Sequence, residues 1–555
     1  MTDAAPARNS AIRHNQLLVV GASSLGTMFE WYDFFLYGAL AGQIARHFFS
    51  AVNETTGFIF ALAAFAAGFI VRPLGALVFG RVGDIVGRKY TFLVTMSVMG
   101  LSTFLVGLLP GSDAIGIAAP IILVLLRLLQ GLAIGGEYGG AAIYVAEHAP
   151  PENRGLNTSW IQTTAAFGLL LSLMIIMGAR AALPEGGFDD WGWRIPFLVS
   201  IFLLGISLWI RIKLNESPVF QKMKDDGATS KAPYREAFLR WPNLKIVLVA
   251  LFGMVAGQAV TFYTATFYAL YFLERNLKVD GLTANLLIAV ALVIGAPLYV
   301  VFGWLSDKIG RKKIIMTGLA LAALFYFPLF KTLTVAANPA LAAAQASAPV
   351  TVFADPEDCS FQFDPIGRST FDKRSCDIAK SFLARSGVTY RTAPLEAGAA
   401  AQLKIGERII EAPDPAGMSE AARAERVAEF QAEAGEALVA VGYPREADPA
   451  AIDKPLVVAI IVLLIAITTI CYGPMAAMLV ELFPARIRYT SMSVPYHIGN
   501  GWFGGFLPTT SFAIVAATGN IYAGLWYPVV ITAATFVVGV LFLPETLGRA
   551  VEHEG

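Results

Sequence analysis

The sequence predicts an all-α integral membrane protein, with twelve transmembrane helices in two pseudo-symmetric six-helix bundles and an extracytoplasmic insert between helices nine and ten. Three observations support this fold class: an apolar composition, apolar runs of membrane-spanning length, and charged motifs that occur twice. Of the 555 residues, 56% are hydrophobic and only 15% are charged. A water-soluble chain could not bury that much apolar surface, so we expect the lipid bilayer to be a partner.

Charge and motif content exclude several other classes of function. Lys and Arg together number 41, as do Asp and Glu, so no net charge indicates a nucleic-acid partner. The phosphate-binding pattern GxxxxGK[ST] is absent from the sequence, which argues against ATP as an energy source. Five histidines and three cysteines form no cluster with metal-ligand spacing. We expect no metal, no cofactor and no enzymatic activity, and a chain that functions as a monomer.

Twelve apolar runs reach the length of about 20 residues that a helix needs to cross a bilayer. They lie near 17–44, 56–80, 90–109, 116–146, 158–179, 194–214, 244–273, 282–304, 313–334, 456–480, 490–517 and 524–544. The first run follows the basic residues Arg8 and Arg13 but has no convincing cleavage site. We therefore expect an uncleaved helix there.

The distribution of basic residues predicts the orientation of the chain. Lys and Arg concentrate in the short loops of one side, with eight of them from Arg211 to Lys245. The positive-inside rule places those loops and both termini in the cytoplasm, for a multi-pass protein of a bacterial inner membrane. The predicted parts are a cytoplasmic N-terminus (1–16), an N-terminal bundle (17–214), a cytoplasmic linker (215–243), a C-terminal bundle (244–334 and 456–544), an extracytoplasmic insert (335–455) and a cytoplasmic C-terminus (545–555).

The insert is rich in Ala, Pro and acidic residues and has no apolar run of spanning length. Ser419 is a suitable cap for a helix in the segment that follows it. Cys359 and Cys376 either close a disulfide in an oxidising periplasm or remain free thiols, and the sequence leaves both readings open.

Internal repeats divide the chain into two halves. GRVGDIVGRK at 80–89 corresponds to GWLSDKIGRK at 303–312, and 147–154 shares the spacing of its Glu, Pro and Arg with 481–488. Glu216 and Glu545 follow the sixth and twelfth predicted helices. We expect a charge latch that sets the balance between inward-facing and outward-facing states without touching substrate. Its residues are Asp84, Arg88, Asp307, Arg311, Glu147, Arg154, Glu481 and Arg488.

At these residues the sequence resembles a known family. GRVGDIVGRK and RLLQG at 127–131 are similar to signatures of the major facilitator superfamily, and the segment around the fourth predicted helix is similar to the sugar-porter signature. GTMFEWYDFFLYG, VRPLGALVFGR, GGEYGG, WRIPF and NESPVF resemble the metabolite:proton symporters within it. The resemblance covers nearly the whole chain except the insert. It implies import of carboxylates, zwitterionic osmolytes or shikimate-like acids together with protons.

Ionisable residues deep in a membrane-spanning helix are costly unless they pair or face water, so each is a functional candidate. Glu30 and Asp33 share one face of the first helix with Tyr37, and we expect that face to line a cavity. Glu137 lies on the same stripe of the fourth helix as Arg127. We assign proton coupling to Glu30, Asp33 and Glu137, because a carboxyl removed from water binds a proton more readily.

We expect Arg72 and Arg127 to provide positive charge for a substrate carboxylate. The alternative is that they form ion pairs that fix helix packing, and for Arg72 this alternative carries equal weight. His497 has a side chain that titrates near neutral pH, but its sequence context favours a structural role. The complete predicted substrate set is Arg72, Arg127, Tyr37, Gln130, Tyr138, Gln258, Tyr263, Tyr496 and Asn500.

The sequence as a whole predicts a secondary active transporter, a proton-coupled importer of a small organic acid that works by alternating access. A carrier of a betaine-like zwitterion is a close alternative, because mixed acids and arginines suit that substrate as well. A second alternative is a receptor that does not transport and uses the insert to sense a ligand or bind a partner.

Overall fold

The computed structural model describes the backbone of residues 4–50, 54–212, 216–360 and 371–549. Parts of five predicted regions therefore lie outside the described residues: both termini, residues 51–53 and 213–214 of the N-terminal bundle, residue 215 of the linker, and the segment 361–370 of the insert. The described part is mainly helical, as predicted.

The long helices are numbered here in chain order. They are α1 (Ala4–Ala39), α2 (Glu54–Ile85), α3 (Arg88–Leu108), α4 (Ala118–His148), α5 (Arg154–Ala182), α6 (Arg194–Ile212), α7 (Trp241–Asn276), α8 (Gly281–Ile309), α9 (Arg311–Ala337), α10 (Lys454–Leu482), α11 (488–518) and α12 (Ala523–Phe542). Among the described residues, nine of them (α3 to α10 and α12) are long and apolar enough to cross a membrane. The total of twelve transmembrane helices stays a prediction.

Glycine shapes both copies of the repeated motif. Gly87 separates α2 from α3 with φ 136°, and Gly310 separates α8 from α9 with φ 112°. Residues with a Cβ rarely adopt such values, so glycine allows each pair of helices to be joined by a very short turn. Helix α11 is interrupted by a π-helical turn at Gly499–Gly504, and α7 contains three π-helical segments. Such segments occur frequently at functional sites.

The helices pack as two groups that contact one another. We refer to α1–α6 as the N-terminal group, in which α1 packs on α5, α2 on α4 and α3 on α6. We refer to α7–α12 as the C-terminal group, in which α8 packs on α10 and α9 on α10 and α12. The two groups meet through α2 with α11 and through α5 with α8. The contact between the groups is therefore made by the second and fifth helices of each group.

A small α/β unit lies between α9 and α10, where the insert was predicted. Its four-stranded sheet has the order β2-β1-β3-β4, with β1 parallel to β2 and the other pairs antiparallel. The strands are β1 (Val350–Ala354), β2 (Tyr390–Pro394), β3 (Gln402–Ile405) and β4 (Arg408–Glu411). Two helices, Ser375–Arg385 and Glu420–Ala440, accompany the sheet. The predicted cap is confirmed, because the Ser419 hydroxyl accepts a hydrogen bond from the Ala422 N–H at 3.3 Å.

Backbone hydrogen bonds attach the insert to the C-terminal group. The Tyr390 N–H donates to the Gly519 carbonyl between α11 and α12 at 2.7 Å. The Ala447 N–H donates to the carbonyl of Lys278, between α7 and α8, at 2.9 Å. The insert is thus hydrogen-bonded to two loops at the same end of the helices. We call this end the insert end.

Cys359 and Cys376 form a disulfide, with 5.2 Å between their Cα atoms and a sequence separation of 17 residues. Closing a loop of that length stabilises a fold by about 3 kcal/mol. We expect Cys359→Ser to make the insert more sensitive to limited proteolysis. A reductant should reproduce the effect in the unsubstituted protein. Equal proteolysis of the two proteins would contradict this account of the insert.

Candidate functional site

The predicted latch residues lie together at the end of the helices opposite the insert, which we call the latch end. The Asp84 carboxylate accepts hydrogen bonds from the N–H groups of Tyr489 at 3.1 Å and Thr490 at 2.9 Å. The Asp307 carboxylate accepts from the N–H groups of Gly155 at 2.8 Å and Leu156 at 2.7 Å. Each acid therefore caps the first turn of a helix in the other group, where a negative charge is stabilised by the helix dipole.

Ion pairs at the latch end follow the same two-fold pattern. Their side chains are at most 4% exposed, and each cluster centres on one glutamate. The pairs are Glu147 with Arg488 (2.7 Å) and Arg88 (3.7 Å), Glu481 with Arg154 (2.9 Å) and Arg311 (3.2 Å), and Arg311 with Asp307 (2.6 Å). All eight predicted latch residues are brought together, and the structure is closed at this end.

The third pair of repeated residues, Glu216 and Glu545, also occupies equivalent positions in the two groups. Glu216 accepts a hydrogen bond from the Lys89 N–H at 3.1 Å, and Glu545 accepts one from the Arg311 N–H at 2.9 Å. These acids cap the N-termini of α3 and α9 within their own groups. The sequence repeat indicated these two glutamates, but not their capping role.

The latch predicts a measurable shift in conformation. Asp84→Asn removes the charge that two N–H groups of α11 bind, a loss of about 1.5 kcal/mol or a tenfold change in equilibrium. We expect Ser493→Cys, on the buried face of α11, to react with a maleimide about tenfold faster when Asp84→Asn is also present. Asp280→Asn is a matched control, because that carboxylate caps α8 inside the C-terminal group. Equal labelling rates with and without Asp84→Asn would show that the latch does not hold the two groups together.

Aromatic rings fill the contact between the two groups at mid-length. The rings of Tyr138 (α4) and Tyr496 (α11) are parallel, with centroids 3.6 Å apart. Phe69 of α2 packs edge-on against Tyr263 of α7 at 6.0 Å. Two predicted substrate-binding tyrosines, Tyr138 and Tyr496, thus contact each other directly in this conformation. Their hydroxyls are also engaged, with Gln162 at 2.6 Å and Tyr472 at 2.6 Å respectively.

Arg72 lies in this aromatic region as a buried cation. It is 3% exposed, and its guanidinium carbon lies 4.6 Å from the ring centroid of Phe34 and 4.4 Å from that of Phe69. Arg72 donates a hydrogen bond to the Tyr263 hydroxyl of α7. Within the described residues, its Nε and Nη2 have no hydrogen-bond partner and no acid forms an ion pair with it. The alternative reading of Arg72 as half of an interhelical ion pair does not describe this geometry.

Further polar groups from the C-terminal group lie near Arg72. His497 is 1% exposed, and both of its ring nitrogens lack a hydrogen-bond partner among the described residues. Asn500 donates to the Oε1 of Gln258 at 3.4 Å, whereas the Nε2 of Gln258 has no partner in the described part of the chain. Arg72 lies against this stretch of α11, because its Cβ is 4.0 Å from the position that a Cβ on Gly501 would take. We call Arg72, Tyr263, Gln258, His497 and Asn500 the central polar cluster.

A series of hydrogen-bonded polar side chains lies inside the N-terminal group. The Arg127 guanidinium carbon lies 4.2 Å from the ring centroid of Tyr37, and Arg127 donates a hydrogen bond to Gln130. The Nε2 of Gln130 donates to the Thr103 hydroxyl at 2.9 Å, and that hydroxyl lies within hydrogen-bond reach of both the Met99 carbonyl at 3.1 Å and Asp33. Thr103 therefore connects a predicted substrate group with a predicted proton group. The sequence did not single it out, because an isolated threonine in an apolar helix carries no distinctive signal.

Two of the three predicted proton-coupling acids, Glu30 and Glu137, pair with an arginine that the sequence analysis missed. Arg211, near the end of α6, forms ion pairs with Glu30 at 3.6 Å and Glu137 at 3.5 Å, and lies over the Phe92 ring at 3.2 Å. It is 2% exposed. In the sequence, Arg211 comes at the start of a basic linker, a position typical of a charge that flanks the membrane.

A profile of the sugar (and other) transporter family matches residues 18–237 and 437–554, more than half of the chain. The chain belongs to this transporter family. A second profile, described as an MFS/sugar transport protein, matches residues 142–354 of the transporter. The resemblance to the major facilitator superfamily that the sequence motifs indicate is therefore confirmed.

Individual relatives agree with this assignment. The transporter is 38% identical over 317 residues to the shikimate transporter of Escherichia coli K12, covering 56% of this chain and 71% of the relative. It is 36% identical over 325 residues to the proline/betaine transporter of the same strain, covering 56% and 63%. The solved proton:xylose symporter XylE shares its fold, with a TM-score of 0.63 at 14% identity over 97% of this chain and 98% of XylE. The transporter thus has the fold of the superfamily.

Proposed function

We propose that the chain is a proton-coupled importer of a small organic acid. The observation that carries this proposal is Arg72, a buried guanidinium in contact with both helix groups whose Nε and Nη2 have no partner among the described residues. A buried cation without a counterion is costly. A substrate carboxylate would supply both the missing charge and the missing hydrogen bonds, in the planar geometry that guanidinium groups bind best.

The rest of the central polar cluster suits the remainder of such a substrate. The free amide nitrogen of Gln258 is a hydrogen-bond donor, and the two nitrogens of His497 provide one donor and one acceptor when the ring is neutral. Hydroxyl groups of a polar acid can use both kinds of partner. Arg127, Gln130 and Tyr37 extend the site into the N-terminal group.

Proton coupling belongs to Glu30, Asp33 and Glu137 in this proposal. All three are buried in the N-terminal group, and two of them, Glu30 and Glu137, share the charge of Arg211. The hydrogen-bonded chain from Asp33 through Thr103 and Gln130 reaches Arg127. Protonation of Asp33 would therefore change the electrostatic environment of a substrate-binding arginine.

The transport cycle is alternating access between two six-helix bundles, with twelve transmembrane helices in total. The contacts of α2 with α11 and of α5 with α8 support this arrangement, because they pair equivalent helices across the molecule. Both termini and the latch end face the cytoplasm, and the insert faces the extracytoplasmic side. The transporter works as a monomer in the bacterial inner membrane.

A zwitterionic substrate is the second candidate, and the similarity to the proline/betaine transporter favours it. A betaine carboxylate would bind Arg72 in the same way. Its quaternary ammonium group would bind to an aromatic face, and Trp31 of α1 offers one beside Phe34, the ring that contacts Arg72.

Ligand-dependent thermal stability separates these candidates. A ligand at about 100 times its Kd stabilises the folded state by about 2.7 kcal/mol. We expect shikimate and simple carboxylates to raise the melting temperature of the purified transporter, and xylose to leave it unchanged. A shift with betaine alone would select the zwitterion candidate. Stabilisation by the sugar and not by any carboxylate would overturn the proposal.

A further inference from the structure

A small cavity lies inside the N-terminal group, between α1, α3 and α6. Its volume is about 10 Å³, and its walls include Gly26, Glu30, Asp33, Gly100 and Ser207. A volume of roughly 10–15 Å³ holds a single water molecule. The two glycines in the walls let neighbouring side chains pack closely, because a Cβ on Gly26 would clash with the Arg211 guanidinium and a Cβ on Gly100 would lie 3.0 Å from the Leu204 Cβ.

Three polar atoms in these walls have no hydrogen-bond partner among the described residues. They are the Oε1 of Glu30, the Oδ1 of Asp33 and the hydroxyl oxygen of Ser207. The three residues are 8%, 6% and 2% exposed, so bulk water does not solvate them. A buried polar atom without a partner costs about 1–3 kcal/mol. The Glu30 Oε1 is in a 3.6 Å ion pair with Arg211 but has no hydrogen bond, and the other two atoms have neither, so the three together indicate a common polar occupant.

We infer that this cavity is a binding site for one water molecule that bridges Glu30, Asp33 and Ser207. The water donates a hydrogen bond to each acid and accepts one from the Ser207 hydroxyl, which makes the two carboxyls a single proton-binding unit. This inference rests on the proposed proton coupling and assigns Ser207 to it as a positioning residue. Ser207 is absent from the sequence-based candidates because a lone serine in an apolar helix is common.

The charges around the cavity favour water over a metal cation. Arg211 lies 3.6 Å from the Oε1 of Glu30, and its charge would repel a sodium ion beside it. The other titratable groups that face the two acids are Glu137, which shares Arg211, and Tyr32, which feels the charge of Asp33. A neutral water that accepts or releases a proton fits this environment.

The test compares Ser207→Ala with Ser200→Ala in proteoliposomes. Ser200 is a matched control, because it lies on the same helix, is 1% exposed, and donates its hydrogen bond to the Phe197 carbonyl at 2.6 Å. We expect Ser207→Ala to move the midpoint of the pH dependence of driven uptake upward by about one unit, because the water loses the hydrogen bond that holds it and the ionised acids then lose the hydrogen bonds that the water donates. Substrate exchange at equal pH, which needs no net proton movement, should be retained. Ser200→Ala should match the unsubstituted protein in both assays.

Two outcomes would overturn the inference while leaving the proposed function intact. One applies when the unsubstituted protein accumulates substrate: Ser207→Ala then has the same pH profile of uptake as Ser200→Ala and the unsubstituted protein. The other is stimulation of uptake by sodium, relative to choline, that Ser207→Ala removes. If the unsubstituted protein shows no proton-driven accumulation, it is the proposed function that fails.

Discussion

Replacing Arg72 by Gln is expected to weaken binding of an anionic substrate by at least about 30-fold, because removing one partner of a desolvated charge pair costs about 2 kcal/mol or more. The guanidinium lies against the rings of both Phe34 and Phe69, and the described residues supply no acid to neutralise it. Its charge is therefore available to the substrate. Equilibrium binding of a radiolabelled carboxylate to the purified protein measures the effect.

Arg81→Gln is the matched control for this experiment. Arg81 lies on the same helix, but it is exposed and stacks on Tyr234 at 5.3 Å. We expect the Arg81→Gln protein to bind the carboxylate with the same dissociation constant as the unsubstituted protein. Arg72→Lys should fall between the two, because lysine retains the charge without the planar pair of donors. Unchanged carboxylate binding by Arg72→Gln would remove Arg72 from the substrate site.

The second large effect is expected for Asp33→Asn. A carrier that moves one proton per substrate can accumulate substrate about tenfold for each unit of pH gradient, and this substitution removes the group that accepts the proton. We expect Asp33→Asn to reach equal concentrations inside and outside while exchange of labelled for unlabelled substrate continues. Retained exchange shows that the protein is folded and binds substrate.

Asp189→Asn makes the same substitution at the insert end, where the carboxylate accepts a hydrogen bond from Gln43 at 2.5 Å. It should accumulate substrate normally. If Asp33→Asn also accumulates substrate about tenfold, Asp33 is not the coupling group, and Glu30 or Glu137 takes its place.

The latch was predictable from sequence because its residues recur in two copies with nearly fixed spacing. A local repeat identifies Asp84 and Asp307 without any knowledge of what they touch. Their actual partners, backbone N–H groups of α11 and α5, belong to distant parts of the chain and carry no side-chain signature. The sequence predicts the charged residues of the latch, but only the fold shows which helix each acid caps.

Arg211 shows why long-range pairing escapes sequence analysis. Its position in a run of basic residues suggests a lipid-facing charge, whereas in the fold it lies between Glu30 and Glu137 from two other helices. Arg72 shows the converse. Its sequence context favours a substrate-binding role and a helix-packing role equally. Only the fold shows that it has no acid partner among the described residues.

The sheet of the insert was missed for a different reason. Its strands are four or five residues long, and an Ala- and Pro-rich context hides their short alternation of buried and exposed positions. The hairpin at Gly406 was the available signal, because a two-residue turn with a positive φ at glycine joins β3 to β4.

Carboxylate uptake into proteoliposomes with an acidic exterior tests the central claim most directly. The account predicts accumulation well above the external concentration, and its complete loss when a protonophore collapses the gradient. Equilibration without accumulation, unaffected by the protonophore, would contradict it.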